Sequence, residues 1–586
     1  MAQVILGLLR PVRALAAVEG DGARAVHQAA DALGCDLVLV PAHGLFSGSP
    51  GPPMPSRGVR TGHRGQGCGT RPTWGGESST SHEGHRSHAH SDPWESPDVT
   101  DRYDLVILGG GTAGLVSAFV AAGVGARVAL VERDRTGGDC LWTGCVPSKS
   151  LIAAARAAHR MRHADAVGLA PVEPAIDFAR VMDRVHAVIA EIEPHDSPAR
   201  LRDAGVEVIV GKGHFVDGST IQADGRRLRF ASAIVATGSE PALPPVSGLT
   251  GADVLTTESV WALRELPGRL VVLGGGPIGC ELGQAFARLG VSVTLVELAD
   301  RLLLKEEPEA GALIARRLVA DGVDVRLGTR AVEVLRPEGA PGQLVLDVDG
   351  ERDTVTFDRV LVVAGRRPRT AGIGLEAAHV EIDQRGAVVV DDRLRTSAPR
   401  IYAAGDVTAR LPFTHVAAHH ARVASVNALF GMRRTVDETI PWVTFTDPEV
   451  AHVGLTEAQA RERWGDRTIL ARSDYAALDR AITEGEPEGF ALLVADPRGR
   501  LVGATVAAAG AGEAIAELTA RVVAGDKIDA LSTTVHAYPT LAEGPSRAAD
   551  EHVRQKYASP RYRALARPLL AARRRLVRRV RCRQPK

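Results

Sequence analysis

Cys140 and Cys145 stand five positions apart, with Lys149 just beyond, in Gly137-Gly138-Asp139-Cys140-Leu141-Trp142-Thr143-Gly144-Cys145-Val146-Pro147-Ser148-Lys149. Two thiols this close, with an ammonium nearby, can cycle between dithiol and disulfide against a cofactor; the alternative is two free cysteines. Geometry constrains the first option. On a regular helix such Cα atoms are roughly 8–9 Å apart, from a rise of about 1.5 Å and about 100° per residue. A disulfide reaches no further than about 7 Å between Cα atoms. A bond therefore needs Cys140 before the helix or on a distorted first turn, with Gly144 easing the bend. A strand-to-helix junction meets that need, and a helix N-terminus favours a thiolate.

The elements around this stretch follow a pattern suited to holding nucleotides. An apolar strand, Asp104–Leu108, runs into Gly109-Gly110-Gly111-Thr112-Ala113-Gly114, then a helix through Ala122, then a strand Arg127–Val131 that ends in Glu132. Glycines let the backbone approach a pyrophosphate at the helix N-terminus, and an acid at the end of the next strand accepts from a ribose hydroxyl. The pattern returns in Leu270–Leu273, Gly274-Gly275-Gly276-Pro277-Ile278-Gly279, helix Cys280–Leu289 and strand Ser292–Val296 ending in Glu297. Two such units predict two dinucleotides. A carboxylate at Glu297 suits the free 2′-hydroxyl of NAD and repels the 2′-phosphate of NADP, while Arg301 keeps NADP open. Cys280 has no partner in sequence and is read as packing.

Length and composition bound the rest. A chain of 586 residues exceeds one core. Charge is balanced, 70 basic against 70 acidic residues, so nothing global points to nucleic acid or membrane. Six scattered cysteines do not make a secreted disulfide scaffold. No apolar run is long enough to span a bilayer, and Arg10 and Arg13 interrupt Val4–Leu9, so neither a transmembrane helix nor a signal peptide is read. The compartment expected is the cytoplasm, where a disulfide is more often catalytic than structural.

Residues 1–100 differ from the rest. A helix (Ala23–Leu33) and a strand (Asp36–Val40) are followed by Ser47–Pro97, rich in Gly, Pro, Ser, Arg and His and read as disordered. His82, His85, His88 and His90 could hold a metal ion loosely, but a solvated linker is the favoured reading. Further on, helices are read over Ser150–His163 and Ile176–Ile192, then the loop Gly211–Phe215 with Gly213 at its centre. A buried strand ends in Ala236-Thr237-Gly238-Ser239, small residues that allow close cofactor approach. Val360–Val363 leads to Ala364-Gly365-Arg366-Arg367-Pro368, and Ile401–Gly405 places Asp406 before a helix Thr414–Leu429.

Taken together, the first glycine loop, CxxxxCVPSK, ATG, the second glycine loop and AAGD, in this order, resemble the pyridine nucleotide–disulfide oxidoreductases, from about Tyr103 to Pro560. The resemblance implies an α/β fold with two Rossmann-like dinucleotide-binding domains, one for FAD and one inserted for NAD, plus a C-terminal α+β dimerisation domain. Its boundaries would be 1–100 extension, 101–250 and 368–437 FAD-binding, 251–367 NAD(P)-binding, 438–560 dimerisation and 561–586 basic tail. It implies a homodimer whose active sites borrow residues across subunits. Cys145 would be the charge-transfer thiol and Cys140 the exchange thiol. Lys149 would sit by the flavin and pair with Glu281. Asp406 would bind the ribitol chain, Thr237, Gly238 and Ser239 would line the FAD site, and Thr414 and His415 would lie near the flavin.

One segment departs from the family. Its His-Pro-Thr-x-x-Glu motif, an acid–base histidine oriented by a glutamate, is here His536-Ala537-Tyr538-Pro539-Thr540-Leu541-Ala542-Glu543. If extended, this segment would point His536 and Tyr538 to one side. An imidazole with pKa near 6.5 takes a thiol proton at pH 7; a phenol near 10 does not. A tyrosine there resembles the mercuric reductases, but their C-terminal vicinal cysteines are absent, Cys582 standing alone, and so is an N-terminal metal-binding CxxC. The expectation is an NAD(P)H-dependent flavoprotein, NADH favoured, reducing a small molecule or metal ion: a metal ion, an oxidant or a quinone-type acceptor. Rivals are dihydrolipoamide dehydrogenase and an FAD-binding redox sensor without turnover. The arginine-rich tail, alternating with Leu569, Leu576, Val577 and Val580, reads as a solvated extension, or as a helix that touches anionic lipid or nucleic acid.

Overall fold

The computed structural model describes residues 102–251 and 253–581, the side chains of 576–581 excepted. The readings made for residues 1–100 and for Cys582 lie outside the described residues. The first sheet is built on β1 (Arg102–Leu108), whose Leu105, Val106 and Ile107 are fully buried. That continuous apolar run is what a parallel strand covered on both faces requires. Helix α1 (Thr112–Gly123) follows, then β2 (Val128–Glu132). In the sheet, β2 lies between β1 and Val206–Val210, and β1 pairs in parallel with Arg226–Val235. Ile401–Ala403 returns from far along the chain to extend that ladder, Ala403 opposite Val235.

The disulfide stretch forms two helices, α2 (Gly138–Trp142) and α3 (Cys145–Arg162), so the second begins earlier than the sequence indicates. The break falls at Thr143-Gly144. A Cβ at Gly144 would lie 2.8 Å from the Asp139 carbonyl oxygen, so only glycine lets the chain turn this sharply. Leu151, Ala155 and Ala158 of α3 share a core with Phe178, Met182, Val185 and Ile189 of the helix Phe178–Ile192, and with Leu282 and Phe286. Burying one such leucine contributes about 1.5–3 kcal/mol. The thiol-bearing helix thus packs between the helix Phe178–Ile192 and a helix of the second nucleotide unit.

That second unit comprises β3 (Arg269–Leu273), α4 (Pro277–Arg288) and β4 (Ser292–Val296). Its parallel sheet runs in the order Asp324–Arg326, β4, β3, Arg359–Val362, Val254–Leu255. An antiparallel ribbon of Thr329–Leu335, Gly342–Val348 and Glu351–Phe357 lies between its strands in sequence and was not read from it. After Ile401–Ala403 comes α5 (Thr414–Phe430). A five-stranded antiparallel sheet closes the fold, in the order Pro441–Thr444, Glu449–Gly454, Leu501–Ala508, Gly489–Ala495, Ile469–Asp474. This is the α/β architecture with a C-terminal α+β part expected above. The tail is helical, as one of the two readings had it: Pro560–Arg581 is one helix, α6, exposed along residues 560–575.

Candidate active site

Both glycine loops, the thiols and the start of the C-terminal sheet line one continuous cleft of about 1780 Å³. Drug-sized pockets occupy about 300–1,000 Å³, so this volume suits two dinucleotides. Cys140 lies on α2, ahead of the helix that Cys145 starts, as bond geometry demanded. Both are thiols here; Cys140 is half-buried, and Cys145 is exposed where it faces the cleft. The Cys140 thiol donates to Cys145, the Thr414 hydroxyl lies 3.4 Å from Cys145 Sγ, and Lys149 adds positive charge. Together these hold the Cys145 thiol down at about 6 against the opposing effect of burial. The same hydrogen bond and burial push Cys140 up. Position at the first turn of α3 favours the anion further. In the reduced protein, alkylation of Cys145 by iodoacetamide should therefore rise as pH increases through about 6; a rise centred at an ordinary thiol value, about 8.5, would remove the thiolate assignment.

Lys149 Nζ donates to Glu281 Oε2 at 2.8 Å, the pairing expected from sequence, with Glu281 nearly buried on α4. The other carboxylate oxygen accepts the Phe445 backbone N–H at 2.9 Å, and the Phe445 ring lies 4.3 Å from the ammonium. Three parts of the chain thus fix one charge beside the thiols. The Trp261 indole N–H donates to the carbonyl of Thr143, pinning the link between the two cysteines. Asp139 contacts Arg366, whose Nε donates to Ser239 Oγ at 2.7 Å; Ser239 in turn donates to Asp406 at 2.8 Å. Burial first of all raises the Asp406 carboxyl above its ordinary range.

The two loops fit the phosphates of dinucleotides. Helices α1 and α4 start with no side-chain cap and no acidic residue in the first turn, which leaves their amides for an anion. A Cβ at Gly276 would meet nothing within 4 Å, and at Gly111 only Gly138 Cα at 3.6 Å, so glycine keeps this space clear. Gly109, Gly213, Thr237, Gly238, Ser239, His415, Gly274 and Gly365 line the cleft with them, as do Asp406 and Thr414. Gly114 and Gly279 do not line it. A Cβ there would lie 1.8 and 1.9 Å from the carbonyl oxygens of Gly109 and Gly274, so these glycines permit the turn from behind instead of touching a ligand. Glu132 and Glu297 sit alike: each takes a loop amide, from Gly110 or Gly275, at 2.6 Å.

The C-terminal residues are placed differently from the expectation. His536, Tyr538 and Glu543 do not line this cleft within the chain. His536 and Tyr538 are not brought to one site either: each is held by a different part of the chain. His536 Nε2 bonds Glu517 at 3.0 Å and its Nδ1 the Thr534 carbonyl, whereas the exposed Tyr538 hydroxyl donates to Asp479 at 2.8 Å. That bond raises the phenol further above its ordinary value. Glu543 is buried and accepts the Thr540 N–H.

Sequence reasoning assigned no role to Phe445 or Glu306. Phe445 directly follows the first strand of the C-terminal sheet, Pro441–Thr444. Glu306 carries no sequence signal: it lines the cleft, accepts the Trp442 indole N–H through Oε1 at 2.5 Å, and has a buried Oε2 without a hydrogen-bond partner. Burial pushes its carboxyl up to about 7.

Residues 103–421 match the family model described as pyridine nucleotide-disulphide oxidoreductase, over half of the chain. The chain belongs to this family. As such it is an FAD- and NAD(P)H-dependent disulfide oxidoreductase. Residues 440–549 match the family's dimerisation domain, which supports a homodimer. The oxidoreductase is 38% identical to a mercuric reductase of Streptomyces lividans, over 75% of this chain and 94% of that one. It is 37% identical to a dihydrolipoyl dehydrogenase of Thermus scotoductus, over 76% and 97%. Among solved structures it resembles the HOCl-induced flavoprotein disulfide reductase RclA from Escherichia coli, at 29% identity and a TM-score of 0.69, over 76% and 99%. A Cu(II) complex of RclA is also solved. Among the described residues, no helix of this oxidoreductase is long and apolar enough to cross a membrane.

Proposed function

We propose that this oxidoreductase takes electrons from NADH and delivers them through Cys140 and Cys145 to a redox-active metal ion, an oxidant or a quinone-type acceptor. The observation that carries this reading is the pairing of a low-pKa thiol with a C-terminal segment that offers no base: Cys145 is held near 6, while Tyr538 is bound to Asp479 and raised. Cys145 would face the flavin and Cys140 the acceptor, with Lys149 and Glu281 fixing charge beside them and Asp406 orienting the ribitol chain. When bound, the flavin supplies the two-electron relay between nicotinamide and sulfur. Over that half-reaction NADH, one proton and the disulfide become NAD⁺ and two thiols. The thiols then return to the disulfide by giving two electrons and two protons to a quinone. With Cu(II), two ions take one electron each and two protons are released. The metal here is substrate, in keeping with relatives named for mercury and a neighbour solved with Cu(II).

Glu297 favours NADH through its charge. The FAD-binding parts are 101–250 and 368–437, the NAD-binding part 251–367 and the dimerisation part 438–560; His536, Tyr538 and Glu543 would face the site across the dimer without supplying a base. The compartment is the cytoplasm, whose thiol pool keeps such a disulfide in use. The test is steady-state oxidation of NADH and NADPH with Cu(II), Hg(II), a quinone, a disulfide of lipoamide type and no acceptor. Turnover is expected with a metal or quinone, with kcat/KM for NADH about tenfold or more above that for NADPH. Fastest turnover with lipoamide would make it a dihydrolipoamide dehydrogenase, and no turnover with any acceptor would leave a redox sensor.

A further inference from the structure

The helix α6 combines features that no part of the redox machinery needs. Its 22 residues, Pro560–Arg581, contain nine arginines and no acidic residue. Residues 560–575 are exposed throughout, including Leu565, Leu569 and Leu570 at 67, 72 and 52%. At about 100° per residue, Tyr562, Leu565, Leu569 and Leu570 fall within an arc of about 140°. Arg561, Arg563, Arg567, Arg574 and Arg575 occupy the opposite side. Arg573 alone falls in the apolar arc, where a long stem can carry its guanidinium outward. The sequence keeps the phase beyond this point, with Leu576, Val577 and Val580 at the apolar spacing and Arg578, Arg579 and Arg581 at the basic one. Pro568 lies on the polar side, so the backbone carbonyl it leaves unpaired does not interrupt the apolar stripe.

We infer that α6 is a docking surface for an anionic lipid surface, lying in the interface with its leucines inward and its arginines against the headgroups. Charge complementarity argues for this occupant. The helix carries one sign of charge over its whole length, and an apolar stripe on a basic helix fits the headgroup–acyl boundary. Nine arginines exclude a spanning orientation. A second copy of the helix is disfavoured, since two helices this basic repel one another. Nucleic acid would use the arginines but leave the leucine stripe in water.

The test uses the full chain with its FAD, sedimented with phosphatidylcholine vesicles and with vesicles containing about one third phosphatidylglycerol. Binding to the anionic vesicles is expected, at least tenfold above the neutral ones and lost at high salt. Leu565→Asp with Leu569→Asp, and separately Arg574→Glu with Arg575→Glu, should each weaken it by tenfold or more. A chain ending at Ser559 should not bind, and acceptor turnover of all three variants should stay unchanged. Equal binding to both vesicle types, or leucine variants that bind like the parent, would overturn the proposal. So would tighter binding to a DNA duplex than to anionic vesicles, or a change of oligomeric state on losing α6.

Discussion

Cys140→Ser and Cys145→Ser each lower acceptor turnover by on the order of 10³-fold or more, while FAD stays bound, because either change leaves no disulfide to open. The two variants separate the roles of the thiols. In Cys140→Ser the new hydroxyl can still donate to Cys145, and the Thr414 hydroxyl and Lys149 remain in place, so a low-pKa thiolate persists. That variant should be yellow and show the long-wavelength absorbance of a thiolate against flavin without needing NADH. Cys145→Ser should lack the band under all conditions. It also leaves Cys140 without the neighbouring thiol that raises its own. Rapid-scan spectra with NADH, followed by turnover with Cu(II) and a quinone, measure both effects. If both variants reduce the acceptors at the parent rate, electrons leave the flavin directly and the disulfide mechanism is wrong.

Tyr538→His should raise dihydrolipoamide oxidation by about 10²–10⁴-fold, the usual contribution of a well-placed general base. The parent has no such base at this position. The phenol donates its proton to Asp479 and is raised above an already high ordinary value, whereas an imidazole titrates near 6.5. His536 cannot stand in for it, since both ring nitrogens are engaged, with Glu517 and the Thr534 carbonyl. Glu543 remains buried three residues beyond Thr540, in the position from which the family orients its histidine. Rates of dihydrolipoamide-dependent NAD⁺ reduction for parent and variant decide the matter. No gain would mean that the exchange thiol of this chain does not need a base from that segment.

Much of this was legible in sequence, and the reason is local. A parallel strand, a glycine loop, a helix and an acid are consecutive in the chain, so both nucleotide units could be placed. The pairing of Lys149 with Glu281 was legible only through the family resemblance, since 132 residues separate them. Contacts without that guide escaped. Trp261 pins Thr143 from 118 residues away, and Glu306 meets Trp442 from 136 residues away. The extended reading of His536-Ala537-Tyr538 failed because periodicity shows nothing of Glu517 and Asp479, the distant partners that take the two side chains. For the tail, the spacing of its arginines and leucines already matched a helix, which the structure bears out.

Glu297 has a consequence for cofactor exchange that lies in its backbone partners. One carboxylate oxygen accepts the amide of Gly275 at 2.6 Å, the other that of Ala299 at 2.8 Å. The side chain is thus an internal anion seated in a small nest of main-chain donors. With the nicotinamide dinucleotide bound as proposed, replacing it by a neutral residue would free both donors for a 2′-phosphate, so NADPH would be gripped as well as tolerated. Glu132 is seated the same way, on the amides of Gly110 and Asp134. No phosphate replaces it there, and its loss would leave the half-buried Gly110 amide without its partner, at about 1–3 kcal/mol. Two loops of one design would then answer the same substitution in opposite ways, one by changing its ligand and the other by loosening.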